Sequence, residues 1–294
     1  MLESDNPVVY PAPAGLLIWC RMLRRVRPAF PGKTRLGKAL LGPYLPLREI
    51  TVRANDSAFL VPTLQEPIAF HLLIDGVYEQ PTAKFLSARL RSGSTFVDIG
   101  ANIGSLCVAV AKRVGRHGQV LAIEPSPLVF RYLQHNARLN GLSNIRLKEC
   151  AVSDRESEKT PFYEAPIEKF GMGALAAQFQ GQAISVQTRT LDSLLQEEHI
   201  THVDVLKVDV EGSEAAVFRG AKGLLTGPNP PLVLFEFCDW AEARTFPGHV
   251  GAAQMVLRDY GYKLWRLKDF GRSKRRPLRT TVVNGSEMLV AALL

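Results

Sequence analysis

From residue 95 onward, short apolar runs alternate with segments whose apolar residues recur at helical spacing. Residues 96–99 read as a strand carrying one acid, Asp98, near its end. Leu106, Val110 and Val114, with Ala111, predict a helix after the intervening turn. Residues 119–124 form a second predicted strand, ending in Glu124. Ser126 and Pro127 then supply an N-cap and a first-turn proline for a helix that Gly141 stops. Residues 145–152 read as one third strand, 203–211 as a fourth and 231–237 as a fifth, with helices expected over 213–225 and 250–260. Residues 262–267 and 287–293 close the chain as two strands with no helix between them, so they should pair antiparallel. The pattern predicts an α/β domain over residues 93–294, built on a parallel sheet that ends in an antiparallel pair.

Upstream, residues 50–53 and 58–61 flank Asn55-Asp56-Ser57 as a small hairpin. A helical turn is expected at 67–74 and a helix at 79–91, so residues 47–92 form a hairpin-and-helix unit before the core. Residues 1–46 read as an irregular or partly disordered extension with one helix candidate at 16–23. Residues 155–181 are polar around Gly171-Met172-Gly173 and predict a loop or small hairpin near the site, and residues 184–190 alternate like an edge strand.

With 294 residues, 46% of them hydrophobic, the chain can bury a sizeable core. Cys20, Cys107, Cys150 and Cys238 are scattered, which suggests neither a disulfide framework nor a zinc site and fits a reducing, cytoplasmic setting. No segment approaches the about 18 apolar residues of a spanning helix. The 16–23 segment is followed by its basic residues, the wrong order for a signal peptide; Trp19 and the flanking arginines leave room only for weak peripheral membrane contact. The net charge of +8 is concentrated over residues 21–35 and 272–279 and reads first as solvated surface.

The turn after Asp98 carries Gly100, Ala101, Asn102 and Gly104, so bare backbone is offered to a ligand at the strand's carboxyl end. Asn102 and Ser105 stand where a dinucleotide fingerprint needs its second and third glycines, which weakens a nicotinamide reading. Asp98 can meet an ammonium group or order the loop. Glu124, about twenty residues on, has the spacing of an acid that accepts from ribose hydroxyls. Asp154 ends the third predicted strand, beside the expected adenine position. Acids at successive strand ends suit a cationic amino acid joined to a nucleoside better than a diphosphate.

Phe96-Val-Asp-Ile-Gly-Ala-Asn-Ile-Gly104, Ala122-Ile-Glu-Pro-Ser126, Ala151-Val-Ser-Asp154, Thr190-Leu-Asp192 and Leu206-Lys-Val-Asp-Val-Glu-Gly212 occur in an order that resembles the FkbM-type S-adenosylmethionine-dependent methyltransferases. Gly76-Val-Tyr-Glu79 also matches a segment of that family. The resemblance implies a class I, Rossmann-like methyltransferase fold, with a seven-stranded mostly parallel sheet and an antiparallel last strand. It implies methyl transfer, usually to oxygen on sugars or secondary metabolites. By motif match, Asp98, Gly100, Asn102 and Gly104 belong to the turn at the methionine portion of the cofactor, and Glu79 lies near its amino group. Glu124 would hold the ribose, and Ala151, Val152 and Asp154 would border adenine.

Removal of an acceptor proton calls for a positioned base. Asp209 and Glu211, alternating with Lys207 on one face of the fourth strand, and Glu236 at the end of the fifth are the candidates. His249 is more plausibly a solvated or structural residue than a catalytic one. No metal site is expected: the histidines lack ligand spacing, and an oxygen-ligated cation on Asp209, Glu211, Glu236 and Asp239 is an unspecific reading. An RNA methyltransferase using the basic surface and a non-catalytic S-adenosylmethionine-binding protein are the alternatives. The basic run lacks interleaved aromatics, so a small-molecule or glycan acceptor ranks above nucleic acid. The acceptor itself would be set by loops such as 155–181 and 239–251.

Overall fold

A computed structural model describes residues 48–166, 169–177, 183–270 and 276–293. The predicted 1–46 extension with its helix at 16–23, and most of the basic run at 272–275, lie outside the described residues. Among the described residues no helix is long and apolar enough to cross a membrane.

The hairpin of β1 (Ile50–Ala54) and β2 (Ser57–Val61) turns at Asn55, and helices α1 (Pro67–Asp75) and α2 (Gln80–Arg89) follow. The core then alternates through β3 (Thr95–Ile99), α3 (Ser105–Val114), β4 (Gln119–Ile123), α4 (Pro127–Leu139) and β5 (Ile145–Lys148). Three short strands come next, β6 (Ala151–Val152), β7 (Ser157–Phe162) and β8 (Ile184–Arg189), then α5 (Leu191–Glu197) and β9 (Val205–Val208). Helices α6 (Glu214–Arg219) and α7 (Lys222–Thr226) lead to β10 (Leu232–Cys238), α8 (Asp239–Thr245) and α9 (Ala252–Asp259). The chain closes with β11 (Lys263–Arg266), α10 (Leu267–Phe270) and β12 (Ser286–Ala292).

The seven-stranded sheet has the order β11-β12-β10-β9-β3-β4-β5. Its strands from β10 to β5 pair parallel, and β12 runs antiparallel to both β10 and β11. The seven-stranded expectation and its reversed last strand are therefore met. Central strands β3 and β9 are buried at every position, as parallel strands covered on both faces must be. Val97, Leu121, Leu206 and Val233 pack on one face; Phe96, Val120, Val205 and Leu234 pack on the other.

The hairpin and α1 bury Val52, Phe59, Ile68 and Phe70 against Ile103, Val108 and Val129 of the core. Asn136 ties the two units together. Its Oδ1 accepts from the Leu60 amide at 2.7 Å, and its Nδ2 donates to the carbonyls of Leu60 at 3.1 Å and Ile103 at 2.9 Å.

Four local expectations are corrected. The predicted strand over 145–152 breaks after Lys148, and Ala151-Val152 joins a separate three-stranded sheet between the cleft and α5 with order β6-β8-β7. The helix expected over 213–225 is two helices divided at Gly220, where the Ser153 carbonyl occupies the space a Cβ would need. Residues 239–245 form α8 rather than a loop. The final strands are joined through the short α10.

Candidate active site

Six segments converge at the carboxyl edge of the sheet. Gly100 leaves β3 at φ 79°, and a Cβ there would overlap the Asp209 carbonyl oxygen, so the turn can pass β9 closely only as glycine. The Gly100 and Ala101 amides both donate to the Ile123 carbonyl at 3.0 Å, which pins the turn to the end of β4. Asn102 takes a left-handed conformation, and its amide donates to Glu124 Oε2 at 3.0 Å. Glu124 Oε1 accepts from the Ser126 amide at 3.1 Å. Burial pushes the Glu124 carboxyl up to about 7 against the pull of those two amides. Gly104 opens α3 at φ 88°, where a side chain would collide with Leu133; it shapes the turn without lining the cleft.

A cavity of about 470 Å³ is lined by Gly100, Glu124, Ala151, Val152, Phe162 and Ser213, among others. A second of about 610 Å³ is lined by Tyr78, Glu79, Asp98, Asn102 and Lys207. Gly100, Asp209 and Glu211 belong to both, so the two adjoin at the ends of β3 and β9 as one cleft. Asp154 lies apart from it. Its Oδ2 accepts from Arg219 Nε at 2.8 Å, and although burial works the other way, that contact holds its carboxyl below the usual range.

The second cavity is rich in charge. Asp98 is 1% exposed and Lys207 3% exposed, and Lys207 Nζ lies 3.3 Å from both Asp98 Oδ1 and Asp209 Oδ2. Neither Asp98 oxygen has a well-formed hydrogen bond, and Glu79 Oε2 is likewise buried without one. Burial pushes the Asp98 carboxyl up and Lys207 opposes the shift. Glu79 behaves the same way, raised by burial and pulled back by Lys207. Glu79 also holds a left-handed backbone, φ 47° and ψ 57°, at the entry to α2. Such strain in a non-glycine residue beside a cleft marks a position held for its side chain. Tyr78, which sequence reasoning did not assign, has its phenol pushed up by burial, with Glu79 adding to the shift.

Carboxylate oxygens of Asp209, Glu211 and Glu236 lie within 4.8 Å of one another. Burial, with Asp209 and Glu211 adding, pushes the Glu236 carboxyl up to about 9; its Oε1 accepts from the Ser286 hydroxyl at 3.0 Å. Glu211 is left-handed at φ 54°, and a side chain on Gly212 would overlap the Ala241 carbonyl of α8. Buried Glu214 fixes this turn by accepting from the Val210 amide at 3.0 Å and the Gly212 amide at 3.3 Å. Clustering alone assigns no metal to the trio. His249 is exposed and lines neither cavity.

Residues 98–264, over half of the chain, match the methyltransferase FkbM domain. The chain belongs to the FkbM methyltransferase family. It is 32% identical to Methyltransferase 1 of Beauveria bassiana, over 71% of this chain and 88% of that protein. It is 27% identical to 31-O-demethyl-FK506 methyltransferase FkbM of Streptomyces tacrolimicus, over 59% and 74%. Hexuronic acid methyltransferase AglP of Haloferax volcanii is also 27% identical, over 53% and 61%. The chain spans 62% and 61% of the length of two of the curated relatives it matches. As a member of that family the chain carries a methyltransferase domain.

Proposed function

We propose that the chain methylates a hydroxyl group of a small organic acceptor, of the sugar or secondary-metabolite class, with the Asp209, Glu211 and Glu236 carboxylates receiving the proton. The observation that carries this reading is that Asp209 and Glu211, which line both cavities, have carboxylate oxygens within 4.8 Å of each other and of Glu236. The names of two relatives support the acceptor class, one a 31-O-demethyl-FK506 methyltransferase and one a hexuronic acid methyltransferase.

The residues present fit the cofactor. Glu79 Oε2 and Asp98 Oδ2, buried without hydrogen-bond partners, are the acceptors an α-ammonium group needs. Gly100 keeps the turn free of a side chain where the cofactor must approach backbone. Glu124, with one amide on each oxygen, keeps lone pairs for ribose hydroxyls. Ala151, Val152 and Phe162 give an apolar wall for the adenine ring. Bound S-adenosylmethionine supplies a methyl group activated by its sulfonium.

The protein's own contribution is alignment, exclusion of water and proton removal. Alignment of this kind is worth up to about 7–11 kcal/mol, and a positioned base about 10²–10⁴-fold. Three crowded carboxylates repel one another, so taking up the hydroxyl proton relieves their repulsion. Incubation with methyl-labelled S-adenosylmethionine and a panel of sugars and hydroxylated metabolites, read by mass spectrometry, tests the reading. Label in an ether carbon supports it; label confined to nitrogen, carboxyl or nucleic acid overturns it.

A further inference from the structure

The sheet register sets Ala122, Asp98, Lys207, Leu234, Val290 and Trp265 in one row across strands β4, β3, β9, β10, β12 and β11. Five of the six are at most 1% exposed and Lys207 is 3% exposed, and the row is apolar except for the central Asp98–Lys207 pair. A buried ion pair in such a row contributes little to stability compared with apolar residues of the same volume, so its presence calls for another role. The pair lines the methionine-side cavity, where Asp98 Oδ1 faces Lys207 and Oδ2 is buried without a partner.

We propose that Lys207 is a positioning residue that holds Asp98 as a carboxylate, ready to receive the cofactor's ammonium group without first losing a proton. This rests on the placement of Asp98 against the cofactor given above. The ammonium of Lys207 is itself secure. Burial works against it, but Asp98, Asp209 and Glu79 outweigh that cost and hold it well above the usual lysine range.

The titratable groups that share the cavity with the pair or act on it are Glu66, Tyr78 and Glu79 before α2, Cys107 of α3, Glu124 after β4, Lys169 of the loop after β7, and Asp209 and Glu211 after β9. Lys207 is the cation in direct contact with Asp98 and the largest influence opposing its burial. Without it, burial and the neighbouring carboxylates would protonate Asp98, and the arriving ammonium would have to displace that proton to solvent.

Calorimetric titration of S-adenosylmethionine into wild-type and Lys207→Met protein, in two buffers of different ionisation enthalpy, counts the protons released. The expected result is about one more proton released per cofactor bound by Lys207→Met. Its affinity should be about tenfold weaker or worse at pH 6.5, with the gap closing as pH rises. Glu124 and Glu79 also feel Lys207, so the same comparison is made on an Asp98→Asn background, where the extra proton should be absent. Lys207→Arg should restore the wild-type proton count. Equal proton release by wild-type and Lys207→Met overturns the proposal.

The ¹³C carboxyl shift of Asp98 in wild-type protein, assigned by its loss in Asp98→Asn, gives a second test that needs no Lys207 variant to fold. It should show the ionised form from pH 6 to 8, and a titration step inside that range overturns the proposal. Should Asp98→Ala bind the cofactor as wild type does, the placement of Asp98 itself fails. A weakened Asp98→Ala beside a wild-type-like Lys207→Met removes only the role of Lys207.

Discussion

Glu236 carries a carboxyl pushed up to about 9 within reach of two further carboxylates, and this gives the proposed chemistry a pH signature. Above its ordinary range the trio still holds a proton at neutral pH, so its capacity to accept another rises as that proton leaves. The apparent value belongs to the trio rather than to one residue. Methyl transfer should therefore climb with pH through about 9 in wild-type protein. Glu236→Gln should flatten that rise and slow transfer by about 10²–10⁴-fold. A pH-rate profile of both proteins on one acceptor checks this, and an unchanged profile in the variant removes Glu236 from the proton path. At this scale the strand-end acids were legible in sequence because a carboxylate at the end of a buried strand needs a partner. Asp98 and Glu124 line the cleft. Asp154 is turned to Arg219, a partner 65 residues away that no local pattern announces. Lys207 was visible on its strand, but its pairing with Asp98 depends on the β3–β9 register, which only the assembled sheet supplies.

Strand β2 docks on α4 through Asn136, and that contact holds the hairpin unit over the back of the cofactor turn. Asn136 is fully buried and satisfies Leu60 on both its backbone groups. Asn136→Ala should cost about 1–3 kcal/mol in urea unfolding, since buried backbone groups lose their partner. A loss below about 0.5 kcal/mol would mean that water or a shifted hairpin replaces the contact. The parallel core strands were legible because burial on both faces leaves continuous apolar runs. Helix α8 was not, because its core-facing positions include Glu242, a buried acid that accepts from the Gly251 amide and breaks the apolar period. The break after Lys148 was also hidden: Cys150, Ala151 and Val152 are as apolar as the strand they leave.

Across the whole molecule, the parallel strands β3, β4, β9 and β10 deliver acids to one edge and divide the labour along it. Asp98 and Glu79 face one cavity and Glu124 the other; Asp209 and Glu211 line both, with Glu236 beside them. This separation means that cofactor binding and proton removal should fail independently. Equilibrium titration of S-adenosylmethionine into wild-type, Asp98→Ala and Glu236→Gln protein tests that division most directly. The account predicts binding to wild type, a loss of about tenfold or more in Asp98→Ala, and near wild-type affinity in Glu236→Gln. Equal affinities for wild type and Asp98→Ala, or no binding by wild type, would contradict it.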